Sequence, residues 1–247
     1  MVDPVRARSF GPVAAAYDAH RPGYPDEAVD LALDGTGPRV LDLGAGTGKL
    51  TRSLLDRGRD VVAVEPDAGM LAVLTDRLPG VDTRRGSAEQ IPLPDGAVDA
   101  VLVGQALHWF DIDRATPEIA RVLRPGGLLA GLWNGVDGDV DWIAAMEELR
   151  TGAPRPADNP AGGGEGPEMP GPPWFSDAQE RRVAWSWETT VEGYVHNLRT
   201  HSWALTSDPA HREAVLDGMR DLLAAHADTT GTLVLPMRTI VWRTHRV

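Results

Sequence analysis

Residues 40 to 48 read VLDLGAGTG, a short apolar run that breaks into glycines at 44, 46 and 48. A run of that length followed at once by a glycine turn has the form of a buried parallel strand feeding a helix. The segment 38–133 repeats the form, with further apolar runs at 60–64, 98–103 and 127–133 and a weaker one at 81–85. Helix patterns separate them. Leu50 and Leu54 recur at i, i+4 in a segment that ends at Gly58, and Asp67 stands as a cap ahead of Leu71, Leu74 and Leu78, before Pro79. A third helix carries Ile119, Val122 and Leu123 and stops at Pro125-Gly126-Gly127. This alternation predicts an α/β fold, a doubly wound Rossmann-like sheet with helices on both faces.

The remaining third has a different texture. Residues 152–173 are mostly Gly, Pro and Ala, cannot build a core, and read as a flexible loop, either a disordered insertion or a mobile lid. Beyond it Val183, Trp185 and Trp187 alternate as in a half-buried strand, followed by helical stretches near 190–202 and 208–226 and a last strand through LVLPMRTIVWRTH. Asp208-Pro209 is a cap followed by proline at the first helical position. These two strands bring the expected sheet to seven, mostly parallel with an antiparallel C-terminal strand. One domain is expected over 1–247: an N-terminal helical cap (1–37), a cofactor-binding core (38–134), and a part holding the acceptor-side helices, the loop and the last two strands (135–247).

Composition removes several function classes. The 36 acidic residues against 24 basic ones give a formal charge of −12, which repels nucleic-acid backbones and anionic lipid. There is no cysteine, so thiolate nucleophiles, thiolate metal sites and disulfides are excluded. The seven histidines show neither H-x-H nor H-E-x-x-H spacing, no G-x-S-x-G elbow is present, and no metal is expected. No stretch reaches the roughly 18 apolar residues of a membrane span. The expectation is a cytoplasmic protein, monomer or homodimer, with a small-molecule partner.

In open parallel sheets, ligands bind beyond the carboxyl ends of the strands, where a glycine turn admits them close to the backbone. The turn here is G-x-G-x-G with Lys49 after it. That differs from the dinucleotide G-x-G-x-x-G fingerprint and from the phosphate-binding G-x-x-x-x-G-K-S/T loop. Glu65 lies 21 residues beyond Gly44, at the end of the second strand, where a carboxylate can take both ribose hydroxyls. An adenosine-type ligand follows.

VLDLGAGTGKLT, VVAVEPDAGML, GSAEQIPLPDGAVDAVLVGQALHWFD and EIARVLRPGGLLAGLW, in this order and spacing, resemble the motifs of class I S-adenosylmethionine-dependent methyltransferases. The likeness is to the small-molecule branch that includes the ubiquinone/menaquinone and trans-aconitate methyltransferases. It covers roughly residues 10–134. It implies S-adenosylmethionine as cofactor, with S-adenosylhomocysteine as product, and in-line transfer of a methyl group to oxygen, nitrogen or carbon of a metabolite.

The resemblance also implies a set of site residues. Gly44, Ala45 and Gly46 would lie along the methionine portion, Asp42 would orient the loop or the ammonium, and Glu65, followed by Pro66, would bind the ribose. Ser87, Ala88 and Glu89 would edge the adenine, with Met70 on its face; Ser87 stands where many relatives carry Asp. Gln105 would stand near the methionine end. In the leading stretch FGPVAAAYDAHRPGYP, Tyr17 and Arg21 would face the cofactor's carboxylate or the acceptor, and His20 and Tyr24 are either neighbours of the site or a solvated helix end. His108 is read as a general base with a pKa near neutrality or as a wall of the pocket, and Trp109 as an aromatic wall. Trp133, Asn134, His201 and Trp203 are candidates for the acceptor cavity. A nicotinamide-dependent oxidoreductase and a non-catalytic cofactor-binding domain are the alternative readings.

Overall fold

The computed structural model describes residues 14–151 and 169–247, without the side chains of residues 15–17 and 202. Helices α1 (Ala14–His20) and α2 (Asp26–Leu33) precede β1 (Arg39–Leu43), α3 (Lys49–Leu55), β2 (Asp60–Glu65), α4 (Ala68–Arg77), β3 (Asp82–Arg85) and β4 (Val98–Gly104). A short 3-10 turn at Leu107–Trp109 leads to α5 (Ile112–Val122) and β5 (Leu123–Val136). Then come α6 (Asp141–Thr151), β6 (Gln179–Thr190), α7 (Val191–Arg199), α8 (Ser202–Thr206), α9 (Pro209–Ala224) and β7 (Thr232–His245).

The strands form one seven-stranded sheet in the order β3-β2-β1-β4-β5-β7-β6. β1 to β5 run parallel, and β7 is antiparallel to both β5 and β6. The order reverses between β1 and β4, so the crevice beyond their carboxyl ends is the switch point at which such sheets bind ligands.

Strand alternation supplies both faces of the core. Leu41, Leu43, Val101 and Val103 pack on one face with Ile119 and Phe175. Val40, Ala100 and Leu102 pack on the other with Val29, Leu50 and Leu54. Burial on both faces is why these strands read as unbroken apolar runs. A third cluster joins Ile143 and Met146 of α6, Leu198 of α7 and Leu216 and Met219 of α9 to Leu233, Leu235 and Met237 of β7. Trp185 and Trp187 pack against it, the inward half of the alternation in β6.

The expected caps form: Asp67 Oδ1 accepts from Gly69 N at 2.8 Å and Met70 N at 3.0 Å, and Asp208 Oδ1 from Ala210 N at 3.0 Å and His211 N at 3.1 Å. Two expectations change. The strand read at 127–133 begins at Leu123, which pairs with Val98, and the Pro-Gly-Gly turn becomes a bulge because the next pair is Ala100 with Leu128. The helix read over 190–202 ends at Arg199; Thr200 N and His201 N bond back to Asn197 O and Leu198 O, and the chain restarts as α8. Most of the loop at 152–173 lies outside the described residues. Its end is anchored by Phe175, fully buried in the sheet core.

Candidate functional site

A cavity of about 1050 Å³ opens at the carboxyl ends of β1, β2, β4 and β5 and extends to helices α6 to α9. All three segments of the expected domain line it: Arg21 and Tyr24 before α2, the glycine turn and strand ends of the core, and side chains of α6, α7, α8 and α9.

Its first half is built from backbone. Gly44 N and Ala45 N donate to Val64 O at 2.8 and 3.1 Å, which ties the turn after β1 to β2. Gly44 has φ +73°, and a Cβ there would lie 2.6 Å from Ala106 Cβ, so conformation and space both require glycine. Glu65, only 7% exposed, closes the turn from the neighbouring strand. Its Oε2 accepts from Gly46 N at 2.8 Å and its Oε1 from Asp67 N at 2.9 Å. Burial pushes the Glu65 carboxyl up to about 7, against the pull of those two amides.

Asp42 accepts from Thr51 Oγ1 at 2.5 Å through Oδ2, while its Oδ1 is buried with no partner. Burial pushes Asp42 up to about 6, the bond from Thr51 opposing. Pro66, Met70, Ser87, Ala88 and Glu89 continue this wall. Met70 and Ala88 are buried, and Glu89 Oε1 accepts from Asp111 N at 3.0 Å.

Gln105, just past β4, takes φ +59°, uncommon for a non-glycine residue, and its Nε2 donates to Asn134 O at 3.0 Å. Asn134 Nδ2 donates to Gly23 O at 2.8 Å, and Asn134 Oδ1 accepts from Thr239 Oγ1 at 2.6 Å. Trp185 Nε1 donates to Thr239 Oγ1 at 2.9 Å. One chain of hydrogen bonds therefore connects the end of β4, the segment before α2, and the last two strands.

The second half is made of side chains from separate helices. His108 opens onto the cavity, with its ring 4.4 Å from that of Trp109 and 4.9 Å, edge-on, from Trp133. Loss of water on its protein side, with the Arg21 charge, pushes its pKa down to about 4. The direction is away from the expected titration near neutrality, although the residue itself is exposed. His201 is held well below its ordinary pKa by burial, then by the charges of Arg21 and Arg150. Arg21 Nε donates to Thr200 Oγ1 at 3.1 Å. Arg150 pairs with Glu147, one turn earlier on α6. Asn197 Oδ1, His201 Nε2 and Trp203 Nε1 are buried with no hydrogen-bond partner. Each such group costs about 1–3 kcal/mol when left unsatisfied.

Of the residues expected at the site, nearly all line the cavity, from Arg21, Tyr24, Asp42 and the glycine turn to Trp133, Asn134, His201 and Trp203. His20 does not; its ring stacks on His196 at 4.8 Å, between α1 and α7. The Tyr17 side chain lies outside the described residues. The sequence reading missed Thr47, Lys49, Asp67, Met146, Glu147, Arg150, Tyr194, Asn197, Met219 and Met237, which also line the cavity. Thr47 and Lys49 lie inside the glycine motif and were within reach. Glu147 and Arg150 carry only an i, i+3 charge pattern, which reads as a solvated helix face.

No cluster of three or more His, Asp or Glu with metal-holding geometry occurs among the described residues. Nor, among them, is any helix long and apolar enough to cross a membrane.

Residues 41–131 match the family model described as a methyltransferase domain. An uncharacterized methyltransferase of Mycobacterium tuberculosis is 44% identical over 240 residues, covering 95% of this chain and 94% of that protein. One from Schizosaccharomyces pombe is 41% identical over 147 residues, covering 58% and 59%. A solved structure from Anaeromyxobacter dehalogenans, assigned as a type II methyltransferase, superposes with a TM-score of 0.66 at 26% identity, covering 92% of this chain and 97% of that one. The glycine turn, the carboxylate that closes it and the seven-strand order stand in a chain that, by these likenesses, belongs to the class I S-adenosylmethionine-dependent methyltransferase family.

Proposed function

We propose that the cavity binds S-adenosylmethionine along its backbone-built half and transfers the methyl group to a small organic acceptor held in its helical half. The observation that carries this reading is Glu65. An ionised carboxylate has about four acceptor sites; the amides of Gly46 and Asp67 use two, which leaves two for the vicinal hydroxyls of a ribose.

The other groups fit the same ligand. Asp42 Oδ1, buried and unpartnered, complements an ammonium. Gly44, Ala45 and Gly46 present backbone to the methionine chain, and Gln105 stands at its end. Met70 and Pro66 offer apolar surface to the adenine, with Ser87, Ala88 and Glu89 at its edge. The Ser87 hydroxyl makes no hydrogen bond among the described residues, so it is available to the adenine amino group in place of the family's Asp.

The donor supplies an electrophilic methyl on a sulfonium; the acceptor's lone pair forms the new carbon bond as the carbon–sulfur bond breaks, leaving a neutral thioether. For such a displacement the protein's main contribution is alignment and exclusion of water. Trp109 and Trp133 provide aromatic walls, and an aromatic face attracts a cation. His108, its basicity lowered by desolvation and by Arg21, can take a proton only from an acceptor acidic enough to give it up. Arg21 faces the carboxylate of the donor or of the acceptor. The charge of −12 argues against a nucleic-acid acceptor.

Glu65→Ala tests the reading by calorimetry with S-adenosylmethionine. Loss of the ribose acceptor is expected to weaken binding by about 2 kcal/mol or more, some ~30-fold. Unaltered affinity would count decisively against it.

A further inference from the structure

Beyond the strand ends, the cavity wall supplied by α7 and α8 holds polar groups that nothing in the protein satisfies. Asn197 is 4% exposed and its Oδ1 has no hydrogen-bond partner; His201 Nε2 and Trp203 Nε1 are equally without partners. All three residues line the same cavity and fall within seven positions of sequence. Buried polar atoms in folded proteins are almost always paired, so three unpaired ones on one cavity wall mark a place where a ligand completes the bonding.

The chemistry of the wall restricts that ligand. An indole N–H only donates, a neutral imidazole can present N–H at Nε2, and the unpaired atom of Asn197 is its Oδ1, which accepts. The nearby charges are the guanidiniums of Arg21 and Arg150, and both act on His201 in the sense of a positive field. The one carboxylate on the adjoining face of α6, Glu147, is engaged by Arg150. An ammonium ligand could be accepted by Asn197 Oδ1 but would meet the Trp203 N–H, which cannot accept from it, and the Arg21 guanidinium, which repels it. An anionic oxygen meets the N–H groups of His201 and Trp203 and the favourable field of Arg21. Around this wall Met146, Met219 and Met237 give the cavity an adaptable apolar lining.

We propose that His201 and Trp203 form the recognition subsite for a carboxylate on the methyl acceptor, which is a small organic acid with an apolar body. This rests on the reading of the cavity as a methyl-acceptor site.

The test is calorimetry on the full chain with octanoate, phenylacetate and 4-phenylbutyrate, each paired with its primary amide, in the presence and absence of S-adenosylhomocysteine. At least one acid is expected to bind tenfold or more tightly than its amide. Trp203→Phe, which keeps the ring and removes the N–H, should erase most of that preference while leaving S-adenosylhomocysteine affinity unchanged. Equal binding of acid and amide, tighter binding of the amide, or no binding by any of the acids overturns the carboxylate subsite. So does a preference that survives in Trp203→Phe and His201→Phe alike. Failure of S-adenosylhomocysteine itself to bind would overturn the donor assignment instead, and the titrations without it still decide the acid-against-amide comparison.

Discussion

The two halves of the cavity are built by opposite means. The strand-end half is held by main chain: the turn after β1 bonds to Val64 O, and Glu65 clamps Gly46 and Asp67 through their amides. The helical half is held by apolar packing of α6, α7 and α9 on β7, and its polar side chains at 197, 201 and 203 are left unpaired. A ligand that is the same in every member of a family can be met by backbone, whose geometry is independent of side-chain identity. A ligand that differs among members has to be met by side chains, which can be exchanged without disturbing the sheet.

The comparison is broken most directly at Gly44. Gly44→Val places a β-branched residue at φ +73° and a Cβ 2.6 Å from that of Ala106. Backbone strain and overpacking each cost about 1–3 kcal/mol. The expected outcome is loss of measurable S-adenosylhomocysteine binding together with a lowered melting temperature; retained binding would show that the turn is not the donor's bed.

A smaller effect comes from pH. Glu65 titrates at about 7 in the folded protein and must be ionised to accept from a ribose, so donor affinity should rise between pH 6 and 8 and the rise should vanish in Glu65→Gln. The unliganded protein responds to the same group in the opposite sense. Its folded pKa is raised above the unfolded value, so the folded state binds more protons in between. The stability it contributes is full below pH 4.5 and is lost as pH rises through about 7, by at most ~3 kcal/mol if the shift acts alone. His108 and His201, with depressed pKa values, act the other way. They favour unfolding as pH falls below their ordinary value, so the Glu65 contribution is read as the difference between wild type and Glu65→Gln melting curves.

The smallest expected effect lies in the helical half. Asp208→Ala removes the cap of α9, at a cost of about 1 kcal/mol in stability, while S-adenosylhomocysteine affinity stays unchanged. A change in that affinity would mean the two halves are coupled more tightly than their construction suggests.

This division also explains what could be read in the sequence. β1, β2 and β4, the Asp67 cap and the Glu65 carboxylate were legible because each depends on residues close together in the chain. Parallel strands buried on both faces are unbroken apolar runs, and a turn with positive φ asks for glycine. The bulge at Arg124–Gly127 escaped because Pro-Gly-Gly marks a turn equally well outside a sheet and inside one. Glu147, Arg150 and Asn197 escaped because their role depends on where α6 and α7 lie against β7, which no local pattern encodes.

Gly104 adds a constraint on how this chain can change. A Cβ at Gly104, the last residue of β4, would lie 2.5 Å from the Tyr24 hydroxyl, so the segment before α2 rests directly on the strand end. The cap is keyed into the sheet there, and a side chain added at 104 requires the Tyr24 ring to shift. Acceptor preference can therefore drift through substitutions on α6 to α9, helix face by helix face. A substitution at 104 displaces Tyr24, so a redesign for a new acceptor should begin from the helices.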